Sequence, residues 1–181
     1  MKKIKILYGC GVDSYYATQL PMHDPYLFMQ APDGARHIFL SALEIGRGRK
    51  EAKVEHVHAI SDILAEMGGK GTVSEQIVHM ISKWENNPSN VQLVVPNDFP
   101  LKVYQHLSTV FNHIEVMAGT LFPERAIKTA EEIEKIRQAQ ANNEKGFARA
   151  VEILQAATIQ KDLSLKWNGA ALTSEILRGE V

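Results

Sequence analysis

The sequence predicts an α/β protein, a mixed β-sheet flanked by helices and followed by a long C-terminal helix. Three observations carry that expectation. Short apolar runs with strand character recur at 3–8, 26–30, 36–41, 91–95 and 113–117, and helix-period stretches lie between several of them. The link Ala31-Pro32-Asp33-Gly34-Ala35 has the chemistry of a hairpin, because proline presets one turn residue and glycine frees the next. Part of the sheet is therefore antiparallel. From Thr129 onward the pattern changes to one long helical stripe.

Taken in order, residues 3–8 alternate and then turn apolar, as a half-buried first strand does. Residues 14–20 make a short helix stopped at Pro21. The hairpin strands 26–30 and 36–41 follow, then a helix over 42–52 despite Gly46 and Gly48, and a short strand from Val54 to Val57. A helical turn or two over 60–67 ends at Gly68-Gly69. Ser74 opens an amphipathic helix whose apolar face is Ile77, Val78, Ile81 and Trp84. Val91 to Val95 is unbroken and apolar, the mark of a central strand. Phe99 to Phe111 is helical, with Leu101, Tyr104, Leu107 and Phe111 as its stripe, and 113–117 returns as a strand. A first domain, residues 1–122, is thus expected to be a helix-covered sheet.

Residues 123–181 differ in character. Thr129 and Glu132 form a capping box, each side chain serving the other's backbone N–H. Ile133, Ile136, Ala139, Phe147, Val151 and Leu154 line one side of the helix, interrupted at Asn143. Residues 163–169 are a loop or short strand. Thr173 caps a last helix, with Glu175 in its first turn favoured by the helix dipole. An apolar stripe of this extent seeks a partner, so self-association, most simply as a two-fold dimer, is expected.

Composition excludes several classes. The formal net charge of the 181 residues is −1, so no global basic field attracts nucleic acid or anionic lipid. Cys10 is the one cysteine, which rules out an internal disulfide and fits a reducing compartment. The N-terminal apolar run stops at Gly9 without a cleavage site, and no stretch approaches the roughly 20 apolar residues of a membrane span. A cytoplasmic protein is expected.

Four groups of residues are candidates for chemistry. Gly9-Cys10-Gly11-Val12-Asp13-Ser14 follows a strand and precedes a helix, where glycines and a helix N-terminus can cradle phosphate. It is similar to the Ser-Gly-Gly-x-Asp-Ser loop of ATP pyrophosphatases, with Gly9 and Cys10 in place of serine and glycine. It lacks a Walker lysine and the third glycine of a dinucleotide fingerprint. The competing account is a tight strand-to-helix connection with Asp13 or Ser14 as its cap. His56 and His58 would point to one side of a strand and share an ion, but no third ligand is marked, so surface or edge histidines are the favoured reading. Arg47, Arg49, Lys50 and Lys53 form a basic cluster interleaved with Glu44, Glu51 and Glu55, the pattern of an ion-paired solvated face rather than an RNA site. Trp84 and Trp167 read as packing residues rather than interface anchors.

The wider sequence resembles a known family. The stretch FPERAIKTAEEIEKIRQAQANNEKGFARAVEIL is similar to the junction of the Xaa-Pro aminopeptidase, prolidase and creatinase family. In that family an Arg-x-x-Lys-x-x-x-Glu-Ile segment opens the first long helix of the pita-bread catalytic domain, and Arg125, Lys128, Glu132 and Ile133 are the counterparts here. Asp13, Tyr16 and Thr18 resemble its Asp-x-x-Tyr-x-Thr opening. Leu43 to Ala52 resembles the helix after its hairpin, Val94 to Pro100 a strand-and-turn segment, and Trp167 to Glu175 the run into the second catalytic helix. The five pieces occur in order over nearly the whole chain.

The resemblance implies a creatinase-type N-terminal domain with a ribonuclease-H-like fold, serving substrate gating and subunit association. Because Asp13 and Tyr16 belong to a pattern with no nucleotide attached, it also favours the structural reading of the Gly9–Ser14 loop. The family's activity implies a peptide substrate with proline and two divalent metals (Mn, Co or Zn) held by two Asp, one His and two Glu. Nothing after His113 is a histidine, and Asp162 is the only aspartate after residue 98. No catalytic or metal-ligating residue is therefore assigned, and a fragment or truncated product that is inactive alone is expected. The alternatives are a stand-alone binding or assembly module and, last, a nucleotide-binding enzyme using Gly9–Ser14.

Overall fold

The computed structural model describes residues 1–181. Strand β1 (Lys2–Gly9) lies inside a six-stranded mixed sheet whose other members are β2 (Tyr26–Gln30), β3 (Arg36–Leu40), β4 (His56–Ala59), β5 (Val91–Val95) and β6 (His113–Val116). The order is β4-β3-β2-β1-β5-β6. β1, β2 and β3 form an antiparallel meander, and β4, β5 and β6 each run parallel to a neighbour. The Pro32-Asp33-Gly34 turn forms as expected. Gly34 takes φ 92°, Ala31 and Ala35 close the turn, and the Asp33 carboxylate accepts from the Ala35 N–H.

Both faces of the sheet are covered, so its central strands are apolar on both sides. One face carries Ile4, Ile6, Met29, Phe39 and Leu93. It is closed by α3 (Ile60–Glu66), α4 (Val73–Ser82) and α5 (Leu101–Leu107) through Ile63, Ile77, Ile81 and Leu107. The opposite face carries Leu7, Phe28, Ile38, Leu40 and Val94. It packs on α1 (Val12–Thr18), on Ile45 of α2 (Ile45–Glu51) and on Leu121 and Phe122 of the strap after β6.

Several boundaries differ from the sequence expectation for local reasons. α1 ends at Thr18, because Gln19 turns left-handed (φ 54°) and returns its N–H to the Tyr15 carbonyl. β4 begins two residues later than Val54, in the register that sets His37 opposite His56. α4 is capped by Thr72, whose hydroxyl accepts from the Glu75 N–H while Glu75 reaches back, so the capping box precedes Ser74. α5 is shorter than 99–111. Its last turn tightens into i to i−3 bonds at Thr109 and Val110, and Leu101 faces solvent instead of the core.

The two glycines of α2 have opposite meanings. A side chain at Gly46 meets open space, so Gly46→Ala is expected to stabilise by about 0.5–1 kcal/mol through helix propensity. A Cβ at Gly48 would overlap Leu40 Cδ1 and sit 3.4 Å from Val57 Cγ1. Leu40 is fully buried, so making room means shifting a packed core side chain, and Gly48→Ala is expected to cost about 1–2 kcal/mol. Paired thermal melts check the opposite signs.

The chain divides into two compact units, Met1–Arg125 and Ala126–Val181. The second holds α6 (Ala130–Ala156), a small antiparallel sheet of β7 (Thr158–Ile159), β8 (Leu165–Trp167) and β9 (Ala170–Ala171), and α7 (Ser174–Glu180). Thr129 and Glu132 make the expected capping box, and Thr173 caps α7 by accepting from the Ile176 N–H. Arg149 sits 5.9 Å above the Trp167 ring and pairs with Glu152 and Glu180. The side chain buried on α6 is Ile153, which the stripe read from sequence omits. Ile136 and Phe147 of that stripe are 54% and 74% exposed.

Candidate functional site

β1 and β5 are parallel neighbours whose following helices cover opposite faces of the sheet. The crevice outside their carboxyl ends is thus a topological switch point, the usual ligand position in open α/β sheets. It forms a cavity of about 290 Å³ lined by the Gly9–Ser14 loop, Pro96 to Asp98, Thr120 and Arg125.

The loop residues are committed to structure. The Asp13 carboxylate accepts from the Thr120 hydroxyl at 2.7 Å and from the Leu121 N–H at 2.9 Å, and it pairs with the Arg125 guanidinium. A carboxylate held at the mouth of the loop opposes a phosphate there. The Asp13, Tyr16 and Thr18 pattern has one physical sense. Asp13 fastens the strap. Tyr16 packs its ring 5.7 Å from Phe122. Thr18, fully buried, donates to the Ser14 carbonyl at 2.8 Å and meets the Tyr26 hydroxyl at 2.8 Å. Burial pushes the Tyr26 phenol above its ordinary pKa. The Ser14 hydroxyl is buried and unpartnered.

His56 and His58 do share one side of β4, and the structure adds His37 from β3 beside them. His37 Nδ1 lies 3.0 Å from His58 Nε2, and the His37 and His56 rings stack at 4.4 Å. Spacing within one strand does not reveal His37, because the contact crosses to the neighbouring strand. Trp84 closes the group, with its ring 4.8 Å from His37. No group of three or more His, Cys, Asp or Glu is placed to hold a metal ion. The residues present do not fit a two-metal centre.

A serine–histidine pair, Ser74 Oγ to His106 Nδ1 at 2.7 Å, joins α4 to α5. The Ser74 hydroxyl also meets Thr72 Oγ1 at 3.1 Å, so it forms part of the helix cap. In the basic cluster, Arg47 is paired with Glu44 at 2.8 Å and Glu51 at 3.6 Å, while Glu55 pairs with Arg36 at 2.8 Å. These are solvated ion pairs. No helix is long and apolar enough to cross a membrane.

No protein-family model and no curated protein matches the sequence. Solved structures do match in fold. A prolidase from Pyrococcus furiosus is 16% identical with a TM-score of 0.58, over 89% of this chain and 45% of its own. An Xaa-Pro dipeptidase from Bacillus anthracis is 11% identical with a TM-score of 0.64, over 89% of this chain and 41% of its own. An X-Pro aminopeptidase from Thermotoga maritima is 15% identical with a TM-score of 0.60, over 89% of this chain and 44% of its own. The chain spans less than half the length of each of them and shares the fold of that part.

Proposed function

We propose that this chain is the N-terminal, substrate-gating and assembly part of a cytoplasmic Xaa-Pro metallopeptidase of the aminopeptidase P or prolidase kind. One observation carries the reading. The two most family-like pieces of the sequence, Asp13 with Tyr16 and the segment beginning at Arg125, meet in space through the Asp13–Arg125 ion pair. A pattern split by over a hundred residues and closed by a direct contact is hard to obtain by chance matching of short motifs. The fold shared with three such enzymes over 89% of the chain supports it. In a complete enzyme, the two divalent metals and their ligands would be supplied outside these residues, and the substrate would be a peptide with proline in its second position.

The test is direct. The purified chain, supplied with Mn, Co or Zn, is expected to leave an Xaa-Pro dipeptide and an Xaa-Pro-led peptide uncut. Turnover above a metal-only blank overturns the reading. The same sample is expected to scatter light as a dimer at tens of micromolar, through the exposed Ile136 and Phe147 stripe of α6. A monomeric mass removes the assembly role.

A further inference from the structure

β4 is an edge strand, hydrogen-bonded to β3 alone, and α3 follows it without a loop. Val57 and Ala59 pack it on one side, and its polar side-chain link to the sheet is the imidazole cluster. His37 is 7% exposed, and its Nδ1 shares one hydrogen bond with His58 Nε2. With both rings neutral, one nitrogen donates and the other accepts. One added proton can be shared between them, but a second turns both facing nitrogens into donors 3.0 Å apart and breaks the link.

The neighbouring carboxylates offset that proton only in part, because each is engaged elsewhere. Glu55 is engaged by Arg36 at 2.8 Å, Glu66 by His79 at 2.8 Å and by Lys83, and Glu85 by Lys2 at 3.2 Å. Asp33 holds the Ala35 N–H of the hairpin turn. His56, stacked on His37, and Lys83, near His58, both oppose further positive charge. Burial, reinforced by His56 and His58, holds His37 down to about 4, and burial likewise lowers His58.

We propose that His37 and His58 form an acid-operated latch. Neutral, they hold β4 and α3 on the sheet. Protonated, they release that edge while the centre of the sheet stays folded. The sign follows from linkage. A histidine held below its ordinary value of 6.5 stabilises the fold above pH 6.5, and that contribution is lost as pH falls from 6.5 toward 4. The Arg36–Glu55 and Lys83–Glu66 ion pairs do not lose their carboxylates in this window, because both carboxyls are held down to about 2.

Amide hydrogen exchange on the full chain at pH 7.5 and pH 5.0, corrected for intrinsic rates, tests the latch. Protection of residues 56–66 is expected to fall at least tenfold at pH 5.0, with residues 4–7 and 91–95 unchanged. The doubly substituted His37→Gln, His58→Gln chain can still donate and accept but cannot charge there, and its edge is expected to keep its protection. Equal loss at edge and centre, an edge indifferent to pH, or a glutamine variant that still opens would each overturn the latch. If that variant fails to fold, the comparison of edge with centre in the unsubstituted chain decides alone.

Discussion

Asp13→Ala is expected to cost the Met1–Arg125 unit about 2–4 kcal/mol, seen as a lower urea midpoint at unchanged slope. The magnitude comes from what the carboxylate holds. It accepts from the Thr120 hydroxyl, the Leu121 N–H and the Arg125 guanidinium, and its side chain is only 17% exposed. Truncation leaves the Leu121 N–H without that acceptor, in a residue otherwise buried, and removes the Asp13 partner of Arg125. Asp13→Asn keeps an acceptor and loses the charge, so about half of the effect is expected to return. An Asp13→Ala chain as stable as the unsubstituted one would deny the loop its structural role and reopen ligand binding as the reason for Asp13.

Much of this architecture is legible in the residues because local and global signals agree there. Pro32-Asp33-Gly34 turns where its chemistry says it must, and Val91 to Val95 is an inner strand because both of its faces are apolar. Thr129 and Glu132 cap the long helix as their spacing requires. What escapes is of one physical kind. His37 beside His58, Ser74 on His106, and Asp13 on Arg125 are contacts between elements, and one-dimensional periodicity carries no information about strand register or about which loop lies over which. Helix ends escape for a related reason. Leu101 fits an apolar stripe by spacing, yet the packing of α5 begins at Val103 and Tyr104, leaving Leu101 at 68% exposure. The family resemblance identifies Asp13 and Arg125 as separate pieces, whereas the fold explains why one needs the other.

That dependence leads to the second large effect. Phe122 is 4% exposed, packed edge-on to Phe28 at 5.9 Å and against Tyr16, with the Lys5 ammonium 4.9 Å from its ring centre. Phe122→Ala is therefore expected to destabilise the unit by about 3–5 kcal/mol, the transfer loss of a buried aromatic plus the cavity left behind. Phe122 and Asp13 secure the same strap, one from the apolar side and one from the polar side, and Lys5 adds a third tie to the Leu121 carbonyl. If the strap opens as one piece, the first substitution already forfeits part of what the second would remove. The Asp13→Ala, Phe122→Ala double variant should then fall short of the sum of the single effects by about 1–2 kcal/mol. Strict additivity in that cycle would mean that the two anchors fail independently and that the strap is two local contacts rather than a clasp. A shortfall would mean that residues 119–125 are ordered as a unit, and that the Asp13–Arg125 pair and the aromatic stack hold this clasp over the second face of the sheet together.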